Sequence, residues 1–231
     1  MVSLRTMLGR ALIGGALLLP AAAVLAPTDA AASVSIAVQY EQLVKDADLV
    51  AVITPGEAKS VWEDGRIYTY TEVHVDQPVA GDVAAGHTAW VRTMGGVVGQ
   101  VGQLVDGEPV FTKEKSSLLF LRKFNANRVY EVSARAQGQY PVVIDPQTKQ
   151  RKIIRATSVG MLLPPRTAAA ATEGPPVAGA VQTKSVGANA PTSELAKLRL
   201  AQEVMHDRPL DEIARELATT WKRLHPAPPA K

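Results

Sequence analysis

Apolar and polar residues change their spacing several times along this 231-residue chain. In "SIAVQYEQLVKDAD", Ile36, Tyr40, Leu43 and Val44 fall on one helical face, which predicts a short helix. "DLVAVIT", from Asp48, is a continuous apolar run of strand length. "EAKSVWEDGRIYTYTEVHVDQPVA" then has the pattern of a hairpin, and Asp64-Gly65 marks its two-residue turn because both positions tolerate positive φ. Beyond the turn, Ile67, Thr69, Thr71, Val73 and Val75 share one sheet face, and Tyr68, Tyr70, Glu72, His74 and Asp76 share the other. "HTAWVRT", "SSLLFLRKF", "RVYEVSA", "YPVVID" and "QRKIIRA" supply further β-rich runs, divided by Asn, Gly, Pro or Asp. Many short strands with turn signals between them predict an α+β chain that is mainly β. Its core is a small OB-like barrel or a sandwich, with a short N-terminal helix and a C-terminal helical hairpin.

The hairpin is read from "SELAKLRLAQEVMHDRPLDEIARELATTWKRLHP". Ser193 is a fair N-cap with Glu194 in the first turn, and Asp207 caps the second helix with Pro209 in its opening turn. Asp211 and Glu212 offset the macrodipole at the start, and Lys222 and Arg223 suit the C-terminal end. Leu210, Ile213, Leu217, Trp221 and Leu224 form an amphipathic stripe. That stripe has three uses: docking on the β-domain, self-association, or binding a partner's groove. "LDEIAREL" resembles the first helix of a helix-turn-helix, but no glycine turn or recognition helix follows it.

Composition divides the chain further. Residues 1–32 carry Arg5 and Arg10, an apolar stretch and small residues at Ala30 and Ala32, the pattern of a cleaved secretory signal peptide. Residues 33–160 are the β-rich domain, residues 161–192 an Ala/Pro/Gly linker that buries too little surface to order itself, residues 193–225 the helical hairpin and residues 226–231 a tail. The full chain has a net charge of +3, and removing Arg5, Arg10 and Asp29 leaves 23 basic against 21 acidic residues. That balance predicts neither a nucleic-acid nor an anionic-membrane partner, and cleavage of the signal peptide would leave no stable membrane anchor. The chain has no cysteine, which excludes disulfides, cysteine nucleophiles and cysteine metal sites.

"MGGVVGQVGQLVDGEPVF" places Gly95, Gly96, Gly99, Gly102 and Gly107 after an apolar run. A dinucleotide fingerprint needs G-x-G-x-x-G opening a helix, whereas here the order is G-G-x-x-G-x-x-G and a turn follows at Asp106-Gly107. A phosphate loop needs Lys then Ser or Thr after its last glycine, and Gln103 and Leu104 stand there. The glycines therefore predict a backbone-driven β-loop. "ADLVAVITPGEAKSVWEDGRIYTYTEVHVDQPVAG", this loop, "SSLLFLRK" and "AQGQY" together resemble a group of uncharacterised exported bacterial proteins over residues 47–145. More distantly, the order of strand, hairpin and glycine loop is similar to the netrin-like, metalloproteinase-inhibitor OB fold. Those inhibitors chelate zinc through an N-terminal cysteine, so the resemblance implies the barrel without that mechanism.

Sites for chemistry are sparse. His74, His87, His206 and His225 lack the H-E-x-x-H spacing of a zinc hydrolase. There is no G-x-S-x-G elbow, and no histidine lies near Ser116 and Ser117 in sequence. Glu63 with Asp64, and Asp106 with Glu108, sit at turns and suit turn chemistry. No catalytic residue, metal ligand or cofactor is assigned. Trp62, Tyr68 and Tyr70 form an aromatic ridge if the hairpin closes at Asp64-Gly65, either as cross-strand packing or as a carbohydrate or protein contact surface. The expected function is a non-enzymatic protein-interaction module in the periplasm or outside the cell, with another envelope or secreted protein as partner. Its contact surface is Trp62, Tyr68 and Tyr70 with Gly95, Gly96, Gly99 and Gly102. The alternative is an envelope hydrolase or a netrin-like hydrolase inhibitor.

Overall fold

A computed structural model describes residues 34–124, 128–165 and 199–226. Twelve strands and three α-helices make a mainly β, α+β architecture among these residues. The long hairpin is its spine: β2 (Leu49–Glu63) pairs antiparallel with β3 (Arg66–Gly81). The turn is the expected one, with Asp64 at φ +49° and Gly65 at φ +76° between the paired Glu63 and Arg66. The run "DLVAVIT" and the first arm of the hairpin are one strand, not two. Pro55 and Gly56 are absorbed by a register shift between Pro55 and Ala58.

β3 pairs with β4 (Thr88–Met94), β4 runs parallel to β8 (Val129–Val132), and β8 pairs with β7 (Ser117–Lys123). β7 returns to β2, so β2, β3, β4, β8 and β7 are joined in a cycle of pairings. The sheet continues from β7 through β9 (Gln139–Ile144) and β10 (Arg151–Ile153) to β12 (Arg208–Pro209). The opening residues of β2, Leu49 to Ile53, and of β7, Ser117 to Leu121, are buried on both faces, which is why those runs are almost continuously apolar. Leu49, Ala51, Ile53, Leu119 and Leu121 point into one cluster with Val73, Val75, Val91 and Val132. Val50, Val52, Leu118 and Phe120 point into a second cluster, against the helices.

Those helices are α1 (Tyr40–Lys45), α2 (Ala201–Met205) and α3 (Leu210–Leu224). Leu210, Ile213 and Leu217 are fully buried beside Tyr40, Leu43, Phe120 and Tyr140, so the stripe docks on the β-domain. Arg199 and Arg208 tie this layer together through Glu41, Glu212 and Glu216. No helix among the described residues is long and apolar enough to cross a membrane.

Four boundaries differ from the sequence expectations. Ile36 belongs to β1 (Val34–Ile36), not to the helical face. β1 runs parallel to β11 (Met161–Leu163), so the segment expected to be linker from 161 begins as a strand. Asp207 does not cap a helix; it adopts φ +57° and donates its N–H to the Ile153 carbonyl, which draws Arg208 and Pro209 into the sheet beside β10. Helix α3 starts only after Pro209, and β12 therefore interrupts the expected helical hairpin. Ser193 and Glu194, the expected start of the helical hairpin, lie outside the described residues, as do the proposed linker beyond residue 165, the proposed signal peptide and most of the tail.

Candidate interaction surface

Register builds a polar row across four strands. Tyr70 of β3 lies opposite Arg92 of β4, Arg92 opposite Glu131 of β8, and Glu131 opposite Arg122 of β7. Directly opposed residues project to the same face, so period-two alternation places all four on the outer side of the sheet. Their neighbours by alternation, Tyr68 and Met94, form a second opposed pair on that face.

Arg92 organises the row. Its Nη2 donates to Glu63 Oε2 at 2.8 Å, its Nε donates to the same oxygen at 3.2 Å, and its Nη1 donates to Glu131 Oε1 at 3.0 Å. The guanidinium carbon lies 3.4 Å from the centre of the Tyr68 ring and 4.3 Å from that of Phe124. Tyr70 Oη donates to the other oxygen of Glu63 at 2.5 Å. Burial alone lowers the Arg92 pKa, but hydrogen bonds to Glu63 and Glu131 outweigh it and hold the group above its ordinary value. The hydrogen bond from Tyr70, then those from Arg92, hold the Glu63 carboxyl below its ordinary value. Desolvation, followed by the bond to Glu63, raises Tyr70. The cation is thus locked between two rings and two carboxylates, each cation–π contact contributing about 0.5–2 kcal/mol. Phe124 and Trp90 remain 44% and 37% exposed, the apolar part of an otherwise charged face.

Tyr68 and Tyr70 are brought together here, and Trp62 is not. The two-residue turn pairs Trp62 with Ile67 and Val61 with Tyr68, so Trp62 projects from the opposite face and the expected ridge does not form. Trp90 and Arg92 are legible by alternation within "HTAWVRT", a signal that lies outside the hairpin on which the expected ridge was built. Phe124 and Glu131 enter through the pairing of β8 with both β4 and β7, which leaves no local sequence signal. Glu63 and Glu108 do more than turn chemistry. Glu108 accepts the Met94 N–H at 3.1 Å and pairs with Arg135 Nε at 2.6 Å.

The glycine loop folds into a small hairpin, β5 (Gly96–Val98) with β6 (Val101–Gln103), and no helix follows Gly102. Gly95 donates its N–H to Ile67 O at 2.7 Å and accepts from Thr69 Oγ1 at 2.7 Å. The Gln103 carboxamide accepts the Ile67 N–H at 2.9 Å. Gly99 supplies the positive φ of the turn, and Gly102 is an ordinary strand residue facing Val97. The Gly95 backbone and the Gln103 carboxamide thus clamp the loop to the tip of the long hairpin.

His74 is exposed on β3, and no three potential metal ligands gather anywhere among the described residues. Ser116 hydrogen-bonds Thr54, which donates to Asp76, a surface relay with no histidine among its partners. No protein-family model, curated protein or solved structure matches the sequence.

Proposed function

We propose that this chain is a non-enzymatic, exported protein-interaction module that works in the periplasm or outside the cell. Its scaffold is an OB-like barrel made by β2, β3, β4, β8 and β7. The cycle of pairings, parallel only between β4 and β8, supports that reading of the fold. The resemblance to exported bacterial proteins and to the netrin-like fold agrees with it. The missing cysteine leaves the metalloproteinase inhibitors' zinc-chelating mechanism without its ligand.

The observation that carries the functional reading is the Arg92 clamp. A guanidinium sandwiched between Tyr68 and Phe124 and bonded to Glu63 and Glu131 fixes an aromatic and charged sheet face in one geometry. A rigid face loses little entropy on binding, and aromatic and arginine side chains dominate protein contacts. Relative to the sequence expectation, the contact surface keeps Tyr68 and Tyr70, exchanges Trp62 for Trp90 and Phe124, and leaves the four glycines as scaffold. The test is crosslinking of the purified protein to proteins of the exported fraction. A defined partner should be captured, and capture should be lost in a Trp90→Ala, Phe124→Ala double variant that still unfolds in one cooperative transition above the assay temperature. Capture that survives in this variant refutes the assignment of the face, and failure to capture any partner refutes the module.

A further inference from the structure

One edge of β2 is only partly covered. β7 pairs with it from Leu49 to Ile53, and Glu114 donates its N–H to the Pro55 carbonyl at 3.0 Å. From Ala58 onward β2 pairs with β3 alone, and no strand lies on its other side among the described residues. Hydrogen-bonding direction alternates along a strand, and a two-residue turn is closed by a bonded pair, here Glu63 with Arg66. Glu63, Val61 and Lys59 therefore turn their backbone groups towards β3, while Trp62, Ser60 and Ala58 turn theirs outward. The other arm has the matching phase. Ile67, opposite Trp62, accepts from the Gly95 N–H and gives its own N–H to Gln103, not to β2.

An open edge of this kind is a template for another strand, and its side chains decide which strand fits. Paired antiparallel with itself about Lys59, the edge would oppose two lysines. About Ser60 it would oppose Glu57 to the copy's Glu63, and about Ala58 it would run into the register shift, where Glu114 already holds Pro55. About Val61, Lys59 faces the copy's Glu63 on both sides of the axis. Glu57 and Glu63 are paired with Lys113 and Arg92, whereas exposed Lys59 enters no ion pair among the described residues. Glu63 Oε1 accepts only the Tyr70 hydroxyl, which leaves that oxygen a second acceptor position for an ammonium. The same register sets Trp62, 52% exposed, opposite the small Ser60. On that face Val97, 66% exposed, gives its N–H to Ser60 Oγ at 3.4 Å, so each copy's Trp62 comes beside the other's Val97.

We infer that the edge from Ala58 to Glu63 pairs antiparallel with the same edge of a second copy of this chain, about a twofold axis at Val61. Ser60 and the copy's Trp62 exchange their outward N–H and carbonyl groups on either side of that axis. The pairing is isologous and closes as a dimer, because the register shift at one end and the Asp64-Gly65 turn at the other stop it from spreading. Both copies turn the Arg92 clamp to the same side of one continuous sheet, about 24 Å apart at roughly 4.8 Å per strand. Such a dimer lies beyond the interaction-module reading and does not depend on it.

The experiment is hydrogen exchange followed by NMR, with sedimentation, on the purified full-length protein from about 10 μM to about 1 mM. A single short edge buries less than the roughly 1,200–2,000 Å² of standard interfaces, so the dimer should assemble within that range. Exchange at the Ser60 and Trp62 amides should slow about tenfold as it forms, while the Lys59 and Val61 amides, bonded to β3, stay protected throughout. Lys59→Glu opposes two carboxylates on each side of the axis and should weaken the dimer about tenfold. Lys59→Gln, with a weakening of about threefold, replaces it if Lys59→Glu does not fold. A monomer at every concentration, a dimer whose Ser60 and Trp62 amides exchange as fast as in the monomer, or a dimer undiminished in the variants would overturn the inference. Protection of those amides in a monomer would assign the edge to another segment of this chain and overturn it. Protection that appears only with a captured partner protein would assign the edge to that partner's strand and overturn it likewise. Partner capture through Trp90 and Phe124 is read separately, so the dimer and the module can fail independently.

Discussion

Replacing Gly96 by alanine should remove a large part of the protein's stability. Gly96 has φ +134°, a conformation that L side chains rarely adopt. A Cβ there collides with Thr69 Oγ1 and Ser60 Oγ and lies 3.0 Å from Ser60 Cβ. Neither hydroxyl is free to turn away, because they hydrogen-bond each other at 2.8 Å and Thr69 also donates to the Gly95 carbonyl. Backbone strain costs about 1–3 kcal/mol. Giving up one or both hydrogen bonds costs about 0.5–1.5 kcal/mol each, and forcing the side chains apart adds about 1–3 kcal/mol. Together these give an expected loss of about 2.5–9 kcal/mol against a total stability of about 5–15 kcal/mol. Urea denaturation measures it, with two internal comparisons. At Gly99, φ is +61° but the added methyl meets open space, so Gly99→Ala should cost only about 1–2 kcal/mol. At Gly102 the nearest atom is Val97 Cγ2 at an ordinary 3.7 Å, so Gly102→Ala should stay within about 1 kcal/mol of the parent. A Ser60→Gly change in the Gly96→Ala background should recover part of the loss. If Gly96→Ala is as stable as the parent, or if all three substitutions cost the same, the close-approach argument is wrong.

Two other outcomes follow from the packing and the charges. Leu217→Ala empties a fully buried site between α3 and the sheet and should cost about 2–5 kcal/mol in a single cooperative transition, whereas separate unfolding of the C-terminal helix would refute the shared core. Burial raises the Glu216 carboxyl, but hydrogen bonds from Arg199 and then Arg208 prevail and its pKa falls below the ordinary 4.5. A depressed carboxylate contributes stability above its unfolded pKa and loses it as pH falls through the folded value. The melting temperature should therefore drop below about pH 4.5, and Glu216→Gln should flatten that drop while lowering stability at neutral pH.

What can be read from the sequence is what is local. The Asp64-Gly65 turn, the alternation through Val75 and the stripe on α3 each depend on neighbours within one element, and each lies where the pattern puts it. The glycines announce a loop without a helix, but not that Gly96 presses on Ser60 and Thr69, because that contact joins two hairpins. Ile36 and Met161 depart from their expected places for a related reason. A three-residue strand has too little periodicity to be recognised, and its partner lies more than a hundred positions away. The Arg92 clamp is half visible: alternation puts Tyr70 and Arg92 outward, but only the parallel β4–β8 pairing brings Glu131 to them.

The meeting of distant segments also governs how the protein can form. Val38 accepts from Ala201, Tyr40 donates to Arg199, and Gln39 bridges to Leu200, so the first helix is completed by residues some 160 positions downstream. Contacts of such high order make folding slow, because long loops must close before burial rewards them. Helix α1 presents Tyr40, Leu43 and Val44 to water until α2 and α3 arrive. The strand cluster around Ile53, Val73 and Val91 can close without the C-terminal helices, but the cluster that holds α1 cannot. Completion of the fold therefore waits on the C-terminal helices, and a chain ending before Arg199 would leave one face of the sheet uncovered.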